Sequence, residues 1–187
     1  MSRILILFAT IDGQTARVAD EMAMVLRAQG HIVMARPARL AHAAEDARIF
    51  DGVIVGGGIR YGHYAKYLAP LVQRSVRGLS VPTAFYSVCL SAAGPGAKPS
   101  TAQGYVDAFL RETDWRPALV ESFGGALLYR RYNPVLRLVM RMISRIAGGE
   151  TDTSRDYEYT DWQAVARFAI DFGALVATAK EDVRAAA

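Results

Sequence analysis

The stretch Ile4-Leu5-Ile6-Leu7-Phe8-Ala9-Thr10-Ile11-Asp12-Gly13-Gln14-Thr15 decides the fold. It begins with five uninterrupted apolar side chains, a run that a strand carries when both of its faces are buried. It then switches to small, hydroxyl-bearing and turn-forming residues. A helical period takes over: Val18, Met22, Val25 and Leu26 share one face, and Gly30 stops it. Buried strand, short loop and helix open an α/β unit built on a parallel sheet.

The alternation repeats downstream. His31–Ala35 reads as a second strand and Val53–Val55 as a third, ended by Gly56-Gly57-Gly58. His63–Arg77 predicts a helix with Tyr67, Leu68, Leu71 and Val72 inward. Val81–Val88 is a fourth strand, with Pro82 near its start, where a missing N–H is tolerated. Thr101–Glu112 predicts a helix, and Leu119–Leu128 a fifth strand with Gly124-Gly125 as a bulge or close approach. A last helix begins at Thr160-Asp161 and runs to about Ala179. The expected organisation is one domain over residues 1–180, interrupted by an insert at about 129–159, with a frayed tail at 181–187.

Bulk properties narrow the class. The 187 residues are 52% hydrophobic and 21% charged, which excludes a disordered chain, a collagen-like repeat and a disulfide scaffold. The single cysteine, Cys89, forbids an intramolecular disulfide and fits a reducing compartment. One cysteine with His31, His42 and His63 scattered along the chain offers no zinc site, so no metal is expected. The first apolar run is too short for a leader, and no window reaches the ~18 apolar residues of a membrane span. A cytoplasmic protein is expected.

Ligands of doubly wound sheets sit outside the carboxyl ends of the strands. That singles out the loops after Phe8, Val55 and Val88. The first, Thr10, Ile11, Asp12, Gly13, Gln14 and Thr15, offers hydroxyls, a glycine and the free N–H groups of a helix N-terminus, the elements of a phosphate site. It is neither a P-loop nor a dinucleotide fingerprint. Its bland alternative is a helix cap made by Thr10 or Asp12. Asp12 suits a phosphate site only if its carboxylate points away. The second loop is Gly57, Gly58, Ile59, Arg60, Tyr61, Gly62, His63 and Tyr64. Glycines admit a flat ligand, Tyr61 or Tyr64 could stack on it, and Arg60 could meet an anion. The third, Ser87, Val88, Cys89 and Leu90, brings backbone groups to the edge of a heterocycle. Cys89 reads as a small buried hydrophobe.

Between Leu128 and Thr160 the alternation breaks. Asn133 is a good N-cap, Pro134 a good first helical residue and Gly148 a good stop. Arg137, Arg141 and Arg145 recur every four residues and line one edge of this helix, while apolar residues cover the remainder. At about 21 Å it is too short to cross a bilayer but long enough to lie on one. Tyr129–Gly149 holds five arginines, Arg130, Arg131, Arg137, Arg141 and Arg145, and no acid; removing them takes the net charge from +4 to −1. A nucleic-acid role fits poorly with so apolar a second face.

The order of the three loops resembles the flavodoxin fold, a five-stranded parallel sheet of order 2-1-3-4-5 that binds FMN at its switch point. Asp12 departs from the usual hydroxyl of that family's phosphate loop. A narrower resemblance runs from about Ile4 to Phe168, to the menaquinone-dependent, oxygen-independent protoporphyrinogen IX dehydrogenases. It rests on Asp12-Gly13-Gln14-Thr15, Ile59-Arg60-Tyr61-Gly62-His63-Tyr64, Ala84-Phe85-Tyr86-Ser87-Val88, Trp115-Arg116-Pro117, Gly148-Gly149-Glu150-Thr151-Asp152-Thr153 and Tyr159-Thr160-Asp161-Trp162, in this order. Asp12 fits the narrower family, whose long insertion in the last strand matches the place of the arginine-lined helix.

The resemblance implies an FMN enzyme of heme biosynthesis that removes six electrons and six protons from protoporphyrinogen IX and passes the electrons to menaquinone. It implies peripheral docking on the inner face of the cytoplasmic membrane, with the insert arginines facing propionates or lipid headgroups. A homo-oligomer is compatible with it. It nominates no catalytic acid or base, although His63 and Tyr61 are within the second loop. The alternatives are a flavodoxin-type electron carrier, an NAD(P)H:quinone reductase, and a membrane adaptor that has lost its flavin.

Overall fold

A computed structural model describes residues 1–40, 47–94, 96–146 and 148–185; His42 lies outside them. Five parallel strands form the central sheet in the order β2-β1-β3-β4-β5. They are β1 (Arg3–Ala9), β2 (Ile32–Pro37), β3 (Gly52–Gly58), β4 (Thr83–Cys89) and β5 (Leu119–Gly124). The apolar run of β1 explains its central place. Ile4, Ile6 and Phe8 point into one core with helix α1 (Gln14–Ala28) and helix α5 (Trp162–Ala185), while Leu5, Leu7 and Ala9 point into another with α2 (Leu68–Ser75) and α3 (Pro99–Thr113). Period-two alternation thus fills two faces rather than one.

Several boundaries differ from the sequence reading, each for a local reason. Gly56-Gly57-Gly58 does not end β3: these residues pair with Phe8 and Ala9 of β1 and with Tyr86, Ser87 and Val88 of β4. They are glycines because neighbouring side chains fill their space. A Cβ on Gly56 would overlap the Tyr86 ring, and one on Gly57 would lie 2.7 Å from Tyr64.

The helix expected over His63–Arg77 is only α2. Its Pro70 sits in the first turn, and the proline ring would clash with the carbonyl of Lys66 if the helix began earlier. Upstream, Arg60 and His63 instead exchange backbone hydrogen bonds in a tight bridge. The final helix runs past Ala179 to Ala185 and is capped by Asp161, whose carboxylate accepts from the N–H groups of Gln163 and Ala164.

The expected fifth strand, Leu119–Leu128, is two pieces. β5 ends at Gly124, and β6 (Ala126–Leu127) leaves the main sheet to pair antiparallel with β7 (Tyr157–Glu158). The insert hangs between these two short strands. It consists of a 3-10 turn (Tyr129–Arg131) and helix α4 (Pro134–Ile146). Asn133 caps α4 by accepting from the Leu136 N–H at 2.8 Å, and Gly148 takes the left-handed φ of 71° expected of a C-terminal stop. The buried Tyr129 holds the frame together: its hydroxyl reaches Ser144 at 2.9 Å and donates to the Glu150 carbonyl at 2.8 Å.

Candidate functional site

Thr10–Thr15 crosses from the carboxyl end of β1 into α1. Neither Thr10 nor Asp12 caps α1. Gly13 occupies the cap position with φ 97°, and the Thr10 hydroxyl accepts the Gly13 N–H at 3.0 Å. The loop is therefore wound on itself, with the first-turn N–H groups of α1 left without helical partners. Asp12 is drawn sideways to Arg60, 3.7 Å away. This is the arrangement that lets an acid stand in a loop built for an anion.

Gln14 locks the loop from behind. Its amide donates to Glu158 and to the Thr160 hydroxyl, both at 2.8 Å, and Thr160 donates to the Gly124 carbonyl at 2.7 Å. Arg17 adds a 3.0 Å contact to Glu158 and lies over the Trp162 ring. Two segments far apart in sequence, Asp12-Gly13-Gln14-Thr15 and Tyr159-Thr160-Asp161-Trp162, are thereby one hydrogen-bonded unit.

The three loops and the insert enclose a cleft of about 250 Å³. Thr10, Ile11, Asp12, Gln14 and Thr15 line one end. Gly58, Ile59, Arg60, Tyr61 and Gly62 line a second side, and Val88, Cys89 and Leu90 a third. Gly58 makes the cleft possible: a Cβ there would lie 2.7 Å from the Thr15 hydroxyl. Tyr61 is held at a φ of 52°, with Gly62 following at 80°, so the chain doubles back and leaves the Tyr61 ring exposed at the rim.

Four residues are placed elsewhere. The Gly13 backbone supports the loop without lining the cleft. Ser87 is fully buried and bonded to the Tyr64 hydroxyl at 2.9 Å. Tyr64 itself packs on Phe85 and Phe109, with its phenol pushed upward in pKa by burial, so it is a core residue and not a stacking platform. His63 is exposed and stays outside the cleft lining. Burial also raises the pKa of the Cys89 thiol.

The insert supplies the wall that loop reading missed. Tyr132, Leu136 and Met140 line the cleft together with Tyr105 of α3, Ser91, and the Gly125-Ala126 step. Leu136 and Met140 had a detectable signal: they recur at a spacing of four on the side of α4 away from Val135, Leu138 and Met142. Tyr105 had none. Burial raises the pKa of Tyr132, whose hydroxyl accepts the Leu128 N–H at 3.3 Å.

The arginines divide into roles. Arg137 is tied down, donating to the carbonyls of Tyr129 at 3.0 Å and Tyr132 at 3.2 Å. It stabilises the insert instead of sharing a free edge with Arg141 and Arg145, which are exposed. Arg130 is exposed, with its backbone N–H held by Asp156. Arg131 reaches back to the first loop and donates to the Asp12 carbonyl at 3.4 Å. Along α4 the exposed apolar residues Val135, Leu138, Val139, Met142 and Ile146 form one stripe beside Arg141 and Arg145.

The residues present fit a flavin mononucleotide. A wound hydroxyl loop at a helix N-terminus suits a phosphate, and a glycine-opened slot suits a flat ring. Among the described residues no cluster of acids, histidines and cysteine could hold a metal, and no helix is long and apolar enough to cross a membrane.

Comparison with known proteins agrees with this geometry. A family model described as a flavodoxin domain matches residues 5–154. Protoporphyrinogen IX dehydrogenase (quinone) of Escherichia coli strain K12 is 39% identical over 170 residues, covering 89% of this chain and 92% of that protein. The protein of the same name from Leishmania major is 36% identical over 178 residues, covering 92% of this chain and 75% of its own length. Oxidised flavodoxin 1 from Bacillus cereus superposes with a TM-score of 0.56 at 15% identity, covering 91% of this chain and 97% of that one. A flavodoxin from the domain Archaea gives 0.55 at 13% identity, covering 93% and 98%. Fold, insert and sequence similarity converge: this chain belongs to the flavodoxin-domain family, in its protoporphyrinogen IX dehydrogenase branch.

Proposed function

We propose that this protein is an FMN-dependent oxidoreductase that converts protoporphyrinogen IX to protoporphyrin IX and delivers the electrons to a quinone, menaquinone in the cell. The observation that carries this reading is the insert, which roofs the cleft with Tyr132, Leu136 and Met140. A bare electron carrier needs only a solvent-facing flavin edge. An apolar roof over the cofactor cleft suits a large, flat, apolar substrate brought against the ring.

The phosphate loop and the Gly58 slot would hold FMN, and Tyr61, Tyr105 and Tyr132 would flank the ring or the substrate face. When bound, FMN supplies two-electron redox chemistry, while the protein orients the reactants and excludes water. Overall, three quinones become quinols as one porphyrinogen loses its six electrons and six protons. The exposed stripe of α4, edged by Arg141 and Arg145, supports docking on an anionic membrane surface, where a lipid-soluble quinone resides. Anaerobic conversion of protoporphyrinogen IX by the FMN-loaded protein with a menaquinone analogue tests the activity; no acceptor-dependent porphyrin formation would refute it.

A further inference from the structure

We propose that Arg131 is a cofactor-positioning residue: its guanidinium supplies a cation to the phosphate of the bound flavin and ties cofactor binding to the placement of the insert. The inference rests on the flavin reading and goes beyond it.

The charge around the first loop is the starting point. Thr10–Thr15 contains one ionisable side chain, Asp12, and no cation of its own. Arg60 stands 3.7 Å from the Asp12 carboxylate and offsets it. Arg131 contacts the loop differently. Its Nη1 donates to the backbone carbonyl of Asp12 and lies 3.3 Å from where a Gly13 Cβ would stand. Among the described residues no carboxylate pairs with it. The loop with both arginines therefore carries a net positive charge, which comes from the insert.

Arg131 is not on a loose segment. It ends the 3-10 turn that begins with the buried Tyr129. That turn is fixed by Arg137 on the Tyr129 and Tyr132 carbonyls, by Asp156 on the Arg130 N–H, and by Ser144 and Glu150 on the Tyr129 hydroxyl. The next residue, Tyr132, lines the cleft. Arg131 thus joins the loop to the same fixed turn that sets Tyr132, and through α4 Leu136 and Met140, against the cleft. By linkage, whatever an ordered insert adds to FMN binding, bound FMN returns to the order of the insert.

Riboflavin, which has the ring but no phosphate, is the discriminating probe. In flavin-fluorescence titrations of the stripped full-length protein, Arg131→Ala should weaken FMN about tenfold, the low end for a charged hydrogen bond. Its riboflavin affinity should stay within about twofold of the original protein's, and Arg131→Lys should recover most of the loss. Added salt should narrow the gap between wild type and Arg131→Ala. FMN, but not riboflavin, should increase amide-exchange protection over residues 129–146. Equal losses of FMN and riboflavin affinity, or no loss of either, would overturn the role of Arg131 while leaving the flavin reading intact. A wild-type protein that takes up neither flavin would overturn the flavin reading itself, and this inference with it.

Discussion

Single residues in this protein are chosen by what stands over them. Gly56 is the sharpest case, because the Tyr86 ring lies where its side chain would be, and the Tyr86 hydroxyl donates to the Thr15 carbonyl at 3.0 Å. One methyl group there pushes a fully buried ring away from the loop that α1 begins on. Gly56→Ala is expected to cost about 3 kcal/mol, the upper part of the range for overpacking a filled core. Denaturant unfolding measures it, and a loss below about 1 kcal/mol would show that Tyr86 relaxes freely.

Asp51 shows a different kind of constraint. Burial alone would raise its pKa, but the Lys180 ammonium and the Arg3 N–H, bonded to the carboxylate at 2.6 and 2.7 Å, hold it below the usual carboxylate range. A carboxyl depressed in the folded state stabilises above its unfolded pKa and loses that contribution as pH falls through the folded value. Asp51→Asn should therefore cost about 1 kcal/mol near neutral pH and progressively less in acid. Urea melts at a series of pH values would reveal a pH-independent cost if the pair were irrelevant.

At the scale of elements, α4 has two apolar sides with different purposes. Leu136 and Met140 turn inward against the Tyr129 and Tyr132 cluster, whereas Val135, Leu138, Val139, Met142 and Ile146 remain exposed. The inward side is explained by packing. The outward side is a stripe that no described residue covers, next to two exposed arginines, Arg141 and Arg145. Arg130→Glu, Arg141→Glu and Arg145→Glu together should cut binding to vesicles containing anionic lipid by about a hundredfold or more, at about 1 kcal/mol per lost charge. Arg137 is left untouched because it bonds the Tyr129 and Tyr132 carbonyls. Flotation of variant and parent to the same extent would remove the membrane role, while retained FMN in the variant would show that the fold survived.

Over the whole molecule, periodicity revealed the sheet because β1 is buried on both sides and its neighbours repeat the pattern. The order β2-β1-β3-β4-β5 then placed three loops at one edge. Twist, pairing register and boundary residues were less legible. Gly56–Gly58 read as a terminator because the Tyr86 and Tyr64 rings that fill its space come from elsewhere in the chain. The loop residues of the cleft were accessible to sequence reading, since they follow directly from strand ends. Its roof was not. Tyr105 and Tyr132 enter through tertiary packing, and Ser87 was diverted into the core by Tyr64. The bulk charge of +4 likewise hid a local fact: a nearly neutral body and a basic insert, one arginine of which reaches the first loop.

That combination marks a flavin enzyme and not a carrier. The most direct measurement is anaerobic oxidation of protoporphyrinogen IX by the FMN-loaded, full-length protein, followed by porphyrin fluorescence, with a menaquinone analogue as acceptor. Protoporphyrin formation should depend on both enzyme and acceptor, with three quinols formed per porphyrin. A flavin that binds tightly yet is reoxidised only by a protein partner, with no porphyrin formed, would contradict it.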